Sequence, residues 1–208
     1  RINLSGIDKR LQDTELIVLC DVENTLLGSN GAATTFGPQK GASEKDVQQL
    51  ENAVARFRSV IFDKTGKDMA AVKYGGAAGG VAAGLYALME AKLVNGIDFF
   101  LDLTGFDTAL QQADLVITGE GSIDTQTLQG KAPFGVAKRA KQKSVPVIGL
   151  AGKIPLFPGE ALQQYFDVLL PINNEVTDIS TALANTQLNL KRAAITVGNL
   201  LALRGNKK

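Results

Sequence analysis

The chain has 208 residues, 45% of them hydrophobic, enough for one large domain or two smaller ones with a buried core. Its 22 Lys and Arg nearly balance 21 Asp and Glu, so no overall field draws it to nucleic acid or to an anionic membrane surface. With no histidine and one cysteine, Ser-His and Cys-His catalysis, His-based zinc sites and an internal disulfide framework are excluded, leaving carboxylates, lysine and backbone for chemistry.

The chain opens on Arg1 rather than methionine, in a stretch that reads as an internal connection, which carries the expectation of a fragment. Residues 16–20, LIVLC, predict a strand ending in a buried Cys20 that acts as a small hydrophobe. Asp21 follows the strand directly, Asn24 lies nearby, and a long glycine-rich loop runs through Gln39 and Lys40 to Ser43. A loop of about twenty residues without regular structure is uncommon in a compact domain unless it is functional or disordered. Residues 43–62 predict a helix capped by Ser43 with Asp46 three residues on, and Val47, Leu50, Val54, Phe57 and Ile61 mark one apolar face.

The stretch YGGAAGGVAAG offers Gly75, Gly76 and Gly79 at a helix amino end, where free N–H groups attract phosphate, although close helix packing explains the same glycines equally well. The helix itself is expected over residues 77–93. Further strands are expected at 99–103, 115–118, 145–150 and 168–172, with helices at 134–143 and 181–203. Strands alternating with helices give an α/β fold with largely parallel sheets and helices on both faces. The polar run near residues 124–129 suggests a boundary, dividing the chain into 1–126 and 127–208.

Residues 115–131, LVITGEGSIDTQTLQGK, hold the densest set of polar groups. A strand end leads into a turn in which Gly119 and Gly121 admit close backbone approach, and Glu120 and Asp124 supply hard oxygen ligands of the kind Mg²⁺ prefers. Gly130 and Lys131 then precede Pro133 at the amino end of the 134–143 helix, a position suited to an anion. Standard nucleotide motifs fail: the pattern G-x-x-x-x-G-K-[ST] meets Thr125 and Ala132 at required positions, and GGAAGG does not fit G-x-G-x-x-G. No secretory signal or bilayer-length apolar run is seen, so the reading is cytoplasmic, with no membrane partner.

Three long motifs in order, CDVENTLLGSNGAATTFGPQKGAS, YGGAAGGVAAGL and LVITGEGSIDTQTLQGKAPFGVAKRAK, resemble the glycerate kinases of the bacterial glycerate 2-kinase type. The family's loop carries proline where Thr25 stands. The resemblance implies the carboxyl-terminal half of a two-lobed protein, a Rossmann-like lobe with an inserted α/β lobe, only partly present in this chain. Residues 1–126 would then belong to the inserted substrate-side lobe and 127–208 to the carboxyl-terminal part of the Rossmann-like lobe. It further implies ATP-dependent, Mg²⁺-requiring phosphorylation of D-glycerate to 2-phosphoglycerate, with glycerate, ATP and the missing amino-terminal half as partners and a homo-oligomer left open. Carried over by position, Asp21, Glu120 and Lys131 would be catalytic, and Asn24, Lys40, Gly119 and Gly121 would meet substrate. Gly75, Gly76, Gly79 and Gly130 would meet the nucleotide, Glu120 and Asp124 the metal, and Asp21 and Glu120 would open onto a shared cleft. The competing reading is a non-catalytic small-molecule or nucleotide-binding lobe, inactive without the other half.

Overall fold

A computed structural model describes residues 2–205, which form two compact units divided between Thr104 and Gly105. The division falls at Thr104/Gly105, earlier in the chain than the polar run at 124–129.

In the first unit, β1 (Ile17–Cys20) is followed by two short helical pieces, α1 (Ala32–Phe36) and a 3₁₀ turn at Pro38–Lys40. The expected structureless loop is therefore folded. The long helix α2 (Glu44–Thr65) begins at Ser43, whose hydroxyl accepts from Asp46 N while Asp46 Oδ2 accepts from Ser43 N at 3.0 Å, a reciprocal cap. Of its expected apolar face, Ile61 is fully buried with Leu26, Met69, Ala83 and Ala87, and Val54 packs at the edge of that cluster, whereas Leu50 and Phe57 are exposed.

α3 (Val81–Met89) is shorter than the sequence suggests, because Glu90 turns into the left-handed region at φ 57° and stops it. β2 (Lys92–Asn95) follows and pairs parallel with β1, Ile17 opposite Lys92 through Cys20 opposite Asn95. The apolar run at 99–103 is not a strand but the body of α4 (Gly96–Leu103). Asn95 caps it by accepting from Asp98 N at 2.9 Å, and a short apolar run cannot by itself distinguish the two periods.

The second unit starts with α5 (Phe106–Leu110) and is built on a three-stranded parallel sheet, order β3 (Val116–Ser122), β4 (Val147–Lys153), β5 (Val168–Pro171). Between the strands run α6 (Ala132–Gln142) and α7 (Glu160–Gln163), and after them α8 (Ile179–Ala184) and α9 (Thr186–Gly205). The single helix expected at 181–203 is thus two, joined at Asn185. One sheet face presents Val116, Val147 and Ala151 to Ala137 and Ala140 of α6 and to Leu162 and Phe166. The other presents Ile148 and Leu150 to Ala193 and Val197 of α9. Helices on both faces of a parallel sheet explain why β4 is almost wholly buried. Among the described residues no helix is long and apolar enough to cross a membrane.

Candidate active site

The carboxyl end of β3 carries the best-organised polar cluster of the second unit. Glu120 lies within β3, two residues before its end and not in the turn expected from its flanking glycines, and is partly exposed. Its Oε1 accepts from the Thr127 hydroxyl at 2.7 Å, and Lys131 Nζ stands 4.0 Å from the same oxygen. Asp124 caps the 3₁₀ turn Thr125–Gln129: its carboxylate accepts from Gln126 N at 2.9 Å and from the Ser122 hydroxyl at 3.2 Å. Its own N–H donates to Thr127 Oγ1 at 3.1 Å. Gly130 closes that turn at φ 108°, a conformation that only glycine takes without strain, and Lys131 becomes the N-cap of α6. The local sequence therefore joins Asp124, Gly130 and Lys131 in one turn, and Thr127 ties that turn back to Glu120 on β3.

The donor set suits a hard cation. Oε2 of Glu120 has no bonded partner among the described residues, and carboxylate oxygens that accept one hydrogen bond retain lone pairs for a metal. Among the described residues no group of three or more acidic or cysteine side chains forms a complete cage. Mg²⁺ is usually held by one or two carboxylates together with substrate phosphates and water, so it does not require such a cage.

Beside this cluster, a cavity of about 730 Å³ opens along the sheet face toward α8 and α9. Ile117, Leu150, Ile172, Leu183 and Leu190 form its apolar wall, and Glu120, Ser122, Lys153 and Asn173 its polar part. Asn173 is fixed by donating to Gly152 O at 2.9 Å and accepting from Asn189 of α9 at 3.1 Å. Gly119 packs β3 against β4, since a Cβ there would lie 2.3 Å from Leu150 O, whereas Gly121 faces open space. A larger hollow of about 990 Å³ in the first unit, lined by Leu4, Asp13, Glu15 and Lys92, contains none of the candidate residues.

In the first unit, Asp21 is exposed directly after β1. Burial pushes the Cys20 thiol up, and the neighbouring Asp21 carboxylate adds to the effect. Asn24 is buried, and its amide donates to Asn30 O (3.0 Å), Asn30 Oδ1 (2.9 Å) and Thr35 Oγ1 (3.1 Å), closing the loop on itself. Gly76 donates to Asn24 O at 2.9 Å and lies so close that a Cβ would be 2.4 Å from Thr25 O. Gly75 is held by a bond to Val72 O, Gly79 lies in open space ahead of α3, and Lys40 is exposed at the end of its 3₁₀ turn. Asn24 and Gly76 thus shape the loop behind Asp21 through internal bonds.

Sequence reasoning missed Thr127 and Asn173. Thr127 is fully buried, and its place at the third position after a capping Asp was the available signal; Asn173 carried none.

Against this geometry the comparisons are decisive for kinship. Residues 1–202 match the Glycerate kinase family. The chain belongs to that family. It is 40% identical over 194 residues to a glycerate kinase of Halalkalibacterium halodurans, covering 93% of this chain and 51% of that protein. It is 38% identical over 202 residues to glycerate 2-kinase of Escherichia coli, covering 97% and 53%. A solved structure named as glycerate kinase 2 from Salmonella typhimurium LT2 superposes with a TM-score of 0.69 at 39% identity, covering 98% of this chain and 52% of that one. The chain spans about half the length of the glycerate kinases it matches.

Proposed function

We propose that the whole protein is a cytoplasmic kinase that transfers the γ-phosphoryl group of ATP to the 2-hydroxyl of D-glycerate. The observation that carries the reading is the Glu120–Thr127–Asp124–Lys131 turn at the carboxyl end of a parallel strand in a member of the glycerate kinase family. Phosphoryl transfer asks a protein for positioning and charge neutralisation more than for covalent chemistry, and this turn supplies two carboxylates and a lysine. Glu120 and Asp124 would hold Mg²⁺, which when bound neutralises charge on the phosphate oxygens. Lys131, at the amino end of α6, meets the transferring group or the phosphate left behind. Asp21 and Lys40 act on glycerate, Asp21 orienting the hydroxyl and taking its proton as the new P–O bond forms. Gly121 lets the β3 end approach the ligand, and Gly130 shapes the turn before Lys131. The family's reach over nearly the whole chain disfavours the binding-lobe alternative.

The test is an assay of the full-length protein with ATP, Mg²⁺ and D-glycerate, with the product isomer identified by NMR. We expect 2-phosphoglycerate, loss of turnover on chelation, and kcat lowered by about a hundredfold or more in Glu120→Gln and Lys131→Ala. No phosphorylated product, or near-parental turnover in both variants, would remove the proposal.

A further inference from the structure

The geometry points to Thr127 as the positioning residue of this site, an inference that rests on the catalytic reading of Glu120 given above. Thr127 is bonded to each of the three charged candidates. Its hydroxyl donates to Glu120 Oε1 at 2.7 Å and accepts from Asp124 N at 3.1 Å, and its carbonyl accepts from Lys131 N at 3.3 Å. The side chain is fully buried, so water does not compete for the hydroxyl.

Its one proton has a fixed destination. The Asp124 N–H can only donate, so the hydroxyl must receive that bond through a lone pair, which leaves the proton for Glu120. The carboxylate is thereby held by Oε1, with Lys131 Nζ 4.0 Å from the same oxygen. Capping alone does not account for this arrangement. The reciprocal cap asks of the Thr127 side chain only the bond from Asp124 N, a task that Glu or Gln performs more often. The additional short bond reaches back seven residues to a different element, β3, and ends on the carboxylate that the chemistry requires.

A residue that only stabilises the turn changes turnover independently of Glu120. One that aims Glu120 has nothing left to do once that carboxylate is gone. The experiment is a double-mutant cycle in the full-length protein with Mg²⁺, ATP and D-glycerate: Thr127→Val, Glu120→Gln and the pair, with Thr127→Ser alongside and thermal melts of all four. We expect Thr127→Val to lower kcat about tenfold or more with KM within about threefold, and Thr127→Ser to restore kcat to within about threefold of the parent. The double variant should be no slower than Glu120→Gln alone. If the valine variant does not fold, Thr127→Cys, whose thiol is a weak donor, takes its place in the cycle. Parental turnover in Thr127→Val, or effects that multiply in the double variant, would overturn this inference while leaving Glu120 catalytic. Parental turnover in Glu120→Gln removes the catalytic reading and this inference with it.

Discussion

Asp124 carries two burdens that substitution can separate. It caps the turn through Gln126 N and Ser122, and its N–H donates to the same Thr127 hydroxyl that bonds Glu120. Asparagine is as good an N-cap as aspartate, so Asp124→Asn should leave stability within about 1 kcal/mol of the parent, whereas Asp124→Ala should cost about 1–2 kcal/mol. If the carboxylate acts on the metal, both variants should lose turnover and require more Mg²⁺, and urea melts with Mg²⁺ titrations of activity check the two effects separately. Asparagine keeping full activity at unchanged Mg²⁺ demand would leave Asp124 a cap only. Gly76 raises a purely steric version of the same question. A methyl group there would press against Thr25 O at 2.4 Å, backbone against backbone with no side chain able to yield. Gly76→Ala should therefore destabilise by about 1–3 kcal/mol, while Gly121→Ala, with nothing within 4 Å, should melt near the parent. Equal melts for the two would contradict the packing described here.

At the scale of elements, α2 is tied to the segment after it by an ion pair between Arg58 and Asp68. Arg58 Nε donates to Asp68 Oδ1 at 2.8 Å, and Ala70 N donates to the same oxygen at 2.9 Å. The guanidinium first, and then the Ala70 N–H, hold the Asp68 carboxyl down at about 2, below its ordinary value of 3.8. A depressed carboxylate contributes stability that is fully present above its unfolded value and is lost as pH falls through the folded one. Urea midpoints of Asp68→Asn should thus lie below the parent at about pH 5–7 and converge with it as pH falls from about 4 toward 2. A gap that persists unchanged to the acid end would assign the effect to packing. The elements that sequence patterns reveal well are those closed by local chemistry. The Ser43–Asp46 cap marked the start of α2, and β1, β3, β4 and β5 stood out as apolar runs bounded by polar residues. Where local signals compete, the reading failed: the run at 99–103 is apolar enough for a strand, but the Asn95 cap sets it as α4. The end of α3 was hidden because Glu90, an ordinary helix former, adopts φ 57° under tertiary constraint. In the candidate site, the Asp124 cap and the Gly130 turn follow from local residue order, whereas the Thr127 bond to Glu120 depends on how the turn folds back on β3.

For the whole molecule, the distribution of apolar surface sets the last expectation. α9 buries little beyond Ala193 and Val197, while Leu188, Leu190, Ile195, Leu200, Leu201 and Leu203 lie exposed on it, and Ile179 and Leu183 of α8 are 79% and 70% exposed. A helix that is apolar on most sides belongs to an environment that covers more than one of them. β3 is an edge of its sheet among the described residues, with hydrogen-bonding groups along one side able to accept a further strand. The glycerate kinases to which the chain is similar are about twice its length, so a protein of that size has the material to cover both features. We therefore expect the 208 residues expressed alone to associate as concentration rises and, on the function proposed above, to turn over ATP and D-glycerate at least about a hundredfold more slowly than the full-length protein. Adding back the separately expressed remainder of the full-length protein should reduce the association and recover turnover together. Sedimentation velocity alongside a coupled kinase assay reads both quantities on the same sample. A monodisperse 208-residue monomer with full-length turnover would show that the exposed faces of α8 and α9 need no cover and that Glu120, Asp124 and Lys131 work without any further chain.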